Sequence, residues 1–210
     1  MSVGGSMNNI IEFKNVSVQK GDHTMDKLNK QRMEEIEKKT SELLKGIDFE
    51  NSPYVDIVSL VEKNNFEVKP TEMDIETTGC LLVNEDDKDS QRLILVNTVF
   101  KNPDHESDVV FKKSRFITAH EYGHFILHRK PGQPIYAHRD TYHRTDLIEL
   151  EADYFARSIL MPLEQFKVFY EILMEMGNND KKFTVELLSK VFKVTKNKVE
   201  KRMEDLLILD

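Results

Sequence analysis

The spacing of apolar residues divides the chain into helical stretches separated by a few short extended runs. Met25 to Lys45 is highly charged but sets Leu28, Ile36, Leu43 and Leu44 on one side, as an amphipathic surface helix requires. Ser52-Pro53 pairs an N-cap residue with a first-turn proline, so a second helix is expected to open there and to bury Tyr54, Ile57, Val58, Leu60 and Val61. Three extended runs follow, Phe66–Lys69, Gly79–Asn84 and Arg92–Asn97. The acidic segment Glu85–Asp89 reads as the turn that makes the last two an antiparallel hairpin. Thr98–Val110 reads as a loop, and so does Arg129–Arg144, which contains Pro131, Gly132 and Pro134. Helices are expected over Asp146–Leu160 and from Pro162 to about Met176, where Gly177 is a natural stop. Two short helices close the chain, with Thr184 and Thr195 as their expected caps. Ile11, Phe13, Val16 and Val18 alternate only imperfectly, which suits a loose leader or an added edge strand over residues 1–24.

The run Arg115–His128 is different in kind. It reads as a buried helix, yet it contains His120, Glu121 and His124 in the order His-Glu-x-x-His. Residues four apart share a helix face, so both imidazoles can serve a single ion, while Glu121 lies about 100° further round, where a general base for water belongs. Two imidazoles and a carboxylate in an apolar helix are costly unless something pairs with them, and a bound Zn2+ does so at once. His128 continues the series but lies about 12 Å along the axis from His120, too far for those two to share an ion.

Composition narrows the setting. The chain has 210 residues, 39% hydrophobic and 32% charged, with a net charge of −7, which argues for a soluble domain without broad nucleic-acid affinity. No apolar run reaches membrane-spanning length, the first residues lack the features of a secretory signal, and Cys80 is the single cysteine. A reducing cytoplasm is the expected location. Cys80 itself reads as a small buried strand residue.

A catalytic zinc usually takes three protein ligands and leaves one position open. A histidine ligand six residues beyond His124 is ruled out, because position 130 is Lys130. The better candidate is Glu149, which shares a helical face with Asp153 and Ala156. Asp153 could then accept the remaining ring N–H of a ligating histidine, and the small Ala152 and Ala156 would let the two helices approach closely. Glu151 points away from that face and is the reserve ligand. The Arg129–Arg144 loop holds Tyr136, His138, Arg139, Tyr142 and His143; Tyr142 and His143 are the candidates for transition-state or substrate contact. An extended substrate could pair with the Arg92–Asn97 strand as an added strand.

Arg115-Phe116-x-x-Ala119-His120-Glu121-x-Gly123-His124-x-x-Leu127-His128, followed by Glu149-x-Glu151-Ala152-Asp153-x-Phe155-Ala156 and Leu160-Met161-Pro162, resembles the ImmA/IrrE-type zinc peptidases. Leu95-Val96-Asn97 fits the same pattern, and Leu188-x-x-Val191-Phe192-x-Val194-Thr195 is similar to the small helix-turn-helix-like unit of that family. The likeness runs from about residue 25 to the C-terminus. It departs at Asp153, where the family more often has asparagine and other gluzincins have aspartate. It implies an α+β fold: a mainly helical zincin-like domain over residues 25–177, a small antiparallel sheet, and a helix-turn-helix-like unit over 178–210. It further implies one zinc ion held by His120, His124 and Glu149, with Glu121 as catalytic base. The implied protein is a cytoplasmic metalloprotease, linked to prophages, mobile elements or stress responses, that cleaves a helix-turn-helix transcriptional repressor. Two other classes stand beside it: a non-catalytic regulator binding a partner protein or DNA, and a structural metal site closed by a fourth ligand such as His138 or His143. The basic residues of 181–202 permit DNA binding, but the acidic chain as a whole disfavours it.

Overall fold

Among the described residues, seven helices and a four-stranded sheet follow one another in chain order: α1 (Lys30–Leu43), α2 (Ile57–Glu62), β1 (Glu67–Thr71), β2 (Thr77–Asn84), β3 (Gln91–Asn97), α3 (Ser107–His128), β4 (Ile135–Thr141), α4 (Leu147–Leu160), α5 (Leu163–Met176), α6 (Lys181–Val191) and α7 (Lys196–Leu209). The computed structural model describes residues 28–50, 52–85, 91–99, 107–130, 135–141 and 146–209, with backbone alone for 135–141 and 208–209. The leader at residues 1–24 lies outside that set. The class is α+β, as expected.

The sheet departs from expectation in three ways. β2 and β3 do pair antiparallel, but β1 runs parallel to β3, so the sheet is mixed. The segment expected to be one long loop over Arg129–Arg144 contains β4, which pairs antiparallel with β2. Its Ile-Tyr-Ala-His-Arg-Asp-Thr sequence has no clean apolar alternation, so pairing with β2 and not local pattern makes it a strand. The order β1-β3-β2-β4 also leaves β3 in the interior, with both edges taken, so it cannot receive a substrate strand. Asn97, at the end of β3, accepts from Met73 N and Val99 N and donates to the carbonyls of Asp74 and Thr77, which fixes the β1–β2 connection.

The helix ends show which caps prevailed. α2 opens at Ile57, with Asp56 accepting from Ser59 N; Ser52 Oγ instead accepts from Tyr54 N. The expected start at Ser52-Pro53 fails because Val55 O is taken by the Arg115 guanidinium at 2.5 Å, which holds that segment outside the helix. Asp180, not Thr184, caps α6; Thr184 lies one turn inside and returns its hydroxyl to Asp180 O. Thr195 does precede α7, and its carbonyl accepts from Lys198 N and Val199 N.

α3 lies between the sheet and α4, and its residues Phe116 and Thr118–His124 are all buried. It meets α4 through small residues: Ala152 and Ala156 are fully buried, and a Cβ on Gly123 would fall 2.9 Å from the Phe155 ring. The C-terminal helices are tied to this centre by buried cations. Arg115 of α3 donates to Phe192 O and Lys193 O at the end of α6, where the chain turns left-handed at Lys193. Arg202 of α7, wholly buried, donates to Glu37 of α1 at 2.5 Å and to Met161 O at 3.1 Å. Glu37 also accepts from Tyr154 and Ser158 of α4.

Burial alone would raise the Glu37 carboxyl, but the charge and hydrogen bond of Arg202 hold it below its ordinary value. Replacing Arg202 with Met strands that carboxylate and should destabilise the fold by about 3–5 kcal/mol in urea unfolding. A depressed folded-state pKa confers stability above the unfolded value of 4.5 that is lost as pH falls below it. The stability difference between parent and Arg202→Met is therefore expected to narrow in acid.

Candidate metal centre

The packing of α4 across α3 brings three ligand atoms together. His120 Nε2 and His124 Nε2 are 3.0 Å apart, and Glu149 Oε2 lies 3.1 Å from the first and 3.4 Å from the second. All three residues are buried. A tetrahedral ion with bonds of about 2.0–2.1 Å sets its ligand atoms about 3.3–3.4 Å apart, so this triangle has the size of one face of such a site.

The donor set fits a cation chemically as well. His120 Nδ1 sits 3.1 Å from Asp153 Oδ1, an acceptor, so the ring proton belongs on Nδ1 and the Nε2 lone pair faces the Glu149 carboxylate. Two electron-rich atoms at that distance, away from water, require a cation or a proton between them. Burial pushes the His124 imidazole down to about 4, which keeps it neutral and available as a ligand near neutral pH. Burial would raise Asp153, but the hydrogen bond from His120 outweighs it and the carboxyl stays below its usual range. Asp153 is further neutralised by Lys198 Nζ of α7 at 3.1 Å and by Arg157 at 3.9 Å. Burial also lowers His128.

Glu121, next to His120 in α3, is fully buried and is not one of the triangle's corners. β2 passes against it at Gly79, where an added Cβ would lie 2.5 Å from Glu121 Oε1 and 2.7 Å from Ile117 Cγ2. A side chain at position 79 would therefore occupy the space that the glutamate uses.

The structure thus brings together His120, His124 and Glu149, sets Glu121 beside them, and puts Asp153 behind His120. It does not bring in Glu151, the reserve ligand, whose carboxylate is engaged by Arg32 and His128. Tyr142 and His143 lie outside the described residues; Tyr136, His138 and Arg139 are described only as backbone of β4. Cys80 is buried in β2. Sequence reasoning missed Gly79, Lys198 and Arg32. An isolated glycine within a strand is a signal of close backbone approach and could have flagged the first. No local pattern marks the other two, which come from remote helices.

Two histidines one helical turn apart, a glutamate between them and a second carboxylate from a later helix could hold a metal ion as in a metallopeptidase. Residues 112–204 match the family model described as the IrrE N-terminal-like domain, in keeping with the ImmA/IrrE resemblance of the motifs. The match runs from within α3 to within α7 and contains every corner of the triangle. No curated protein matches the chain.

Replacing Gly79 with Val should force Glu121 or the strand aside and cost about 1–3 kcal/mol. The triangle itself is untouched, so metal uptake measured by elemental analysis is expected to persist while the thermal midpoint falls.

Proposed function

We propose that this chain is an intracellular zinc-dependent endopeptidase that cuts a specific regulatory protein, a helix-turn-helix transcriptional repressor. The observation that carries the catalytic reading is the triangle of His120, His124 and Glu149 with Glu121 buried beside it. A purely structural site has no use for an acid there.

Zinc in this site supplies Lewis acidity toward water and a peptide carbonyl. His120 and His124 contribute neutral ring nitrogens and Glu149 a single negative charge, so the ligand set leaves a dication with net positive charge. Asp153 keeps the His120 ring turned inward. Glu121 takes a proton from the attacking water and returns it to the leaving amine. β1 and β4 are the edge strands of the sheet among the described residues, and Asp140 of β4 lies opposite Gly79, where an added Cβ would meet Glu121. An extended substrate could be added along the outer edge of β4.

The repressor as substrate draws its support from the family likeness. The cationic side chains of α6 and α7 favour a docking role over DNA reading, because many are engaged within the protein. Lys190 and Lys196 pair with Glu186, Lys201 with Glu204, Lys198 with Asp153 and Arg202 with Glu37. No helix among the described residues is long and apolar enough to cross a membrane.

Glu121→Gln should retain about one equivalent of zinc and lose cleavage by at least about 10²-fold, whereas Glu149→Ala should lose the metal. The measurement is incubation of the zinc-loaded protein with the repressor encoded beside it, with fragments mapped by mass. Stoichiometric binding of the repressor without fragments would favour the non-catalytic regulator.

A further inference from the structure

The second ring nitrogen of His124 has its own partner. His124 Nδ1 lies 3.0 Å from His128 Nδ1, and the other nitrogen of His128 lies 3.1 Å from Glu151 Oε2. Glu151 in turn is gripped by both arms of Arg32 on α1, at 2.9 Å from Nε and 2.6 Å from Nη2. His128 and Glu151 are about as sheltered as each other, each with a side chain 11% exposed.

The chemistry of the last two members sets the direction of every hydrogen in this chain. Arg32 can only donate, so Glu151 accepts from it as a carboxylate. Glu151 then also accepts from His128, which places a proton on His128 Nε2. A neutral His128 so protonated has a lone pair on Nδ1 and must receive a proton from His124 Nδ1. His124 is left with its lone pair on Nε2, the atom that faces His120 and Glu149. The opposite arrangement would turn a His128 lone pair toward the Glu151 carboxylate, or require an imidazolium. It would also set the His124 proton on Nε2, inside the triangle.

We propose that His128, Glu151 and Arg32 are positioning residues that fix the tautomer and tilt of His124 for metal binding. This rests on the metallopeptidase reading and adds to it a role for α1, a helix that contributes no ligand to the triangle. His124 is held from α4 and α1 through a histidine, whereas His120 is held directly by Asp153.

Two measurements test it. In the metal-free protein, two-bond nitrogen–proton NMR correlations of the histidine rings should show His124 protonated on Nδ1; a proton on Nε2 would overturn the proposal. Zinc affinity, from competition with a chromogenic chelator, should weaken by about 10–100-fold in His128→Phe. Glu151→Gln keeps an acceptor oxygen for His128 and should recover most of the affinity lost in Glu151→Leu. A His128→Phe protein that binds zinc as tightly as the parent would also sink the idea. If a variant does not fold, the ring-proton measurement on the parent still decides. Failure of the parent to take up zinc would end the peptidase reading, while the metal-free spectrum would continue to report on the relay.

Discussion

The close approach of α3 and α4 is the constraint on which the candidate centre depends. Gly123 leaves room for Phe155, and Ala152 and Ala156 present no bulk to the facing helix. At that separation the first turn of α4 brings Glu149 to the inner nitrogens of His120 and His124. A larger residue at any of these points would push the carboxylate away from the rings, and no adjustment of one side chain would restore a triangle a few ångströms across. The glycine inside a motif usually read only for its histidines and glutamate is therefore part of the same geometry.

Gathering so many ionisable groups in a buried region would be unfavourable if each stood alone. The fold offsets the cost by giving them partners in sequence. Asp153 faces His120 and is itself neutralised by Lys198 and Arg157, and Glu151 faces His128 and is neutralised by Arg32. Lys198 also lies 3.7 Å from the Phe116 ring centre, where the aromatic face compensates part of its lost hydration. The first and last helices among the described residues, α1 and α7, thus hold the centre together through their cations. Arg202 and Glu37 join those two helices directly. The last helix is consequently bound into the metal region, with Lys198 and Arg202 facing inward.

The sheet shows the limits of local pattern. β2 and β3 were legible because each is a short apolar run flanked by polar turns, and their antiparallel pairing follows from the brief connection between them. β1 was legible as an extended run over Phe66–Lys69 but its parallel pairing was not, and the edge strand β4 lies in a stretch that reads as loop. β3 comes back to lie between β1 and β2, which gives β1 its parallel neighbour, and β4 is a strand because β2 supplies its hydrogen bonds. The caps at Asp56 and Asp180 make the same point. Several residues nearby could cap a helix, and long-range contacts such as Arg115 to Val55 O decide which one does.

The sequence by itself determined the helices that carry the chemistry, the turn-apart spacing of His120 and His124, and the shared face of Glu149 and Asp153, because these follow from helical periodicity alone. Tertiary structure decided that Glu149 and not Glu151 meets His120 and His124, that Gly79 must be bare beside Glu121, and that Arg32 and Lys198 hold the outer partners in place. Those relations join residues up to 119 positions apart in the chain. They depend on how closely two surfaces pack, a quantity that no periodicity along a single element contains.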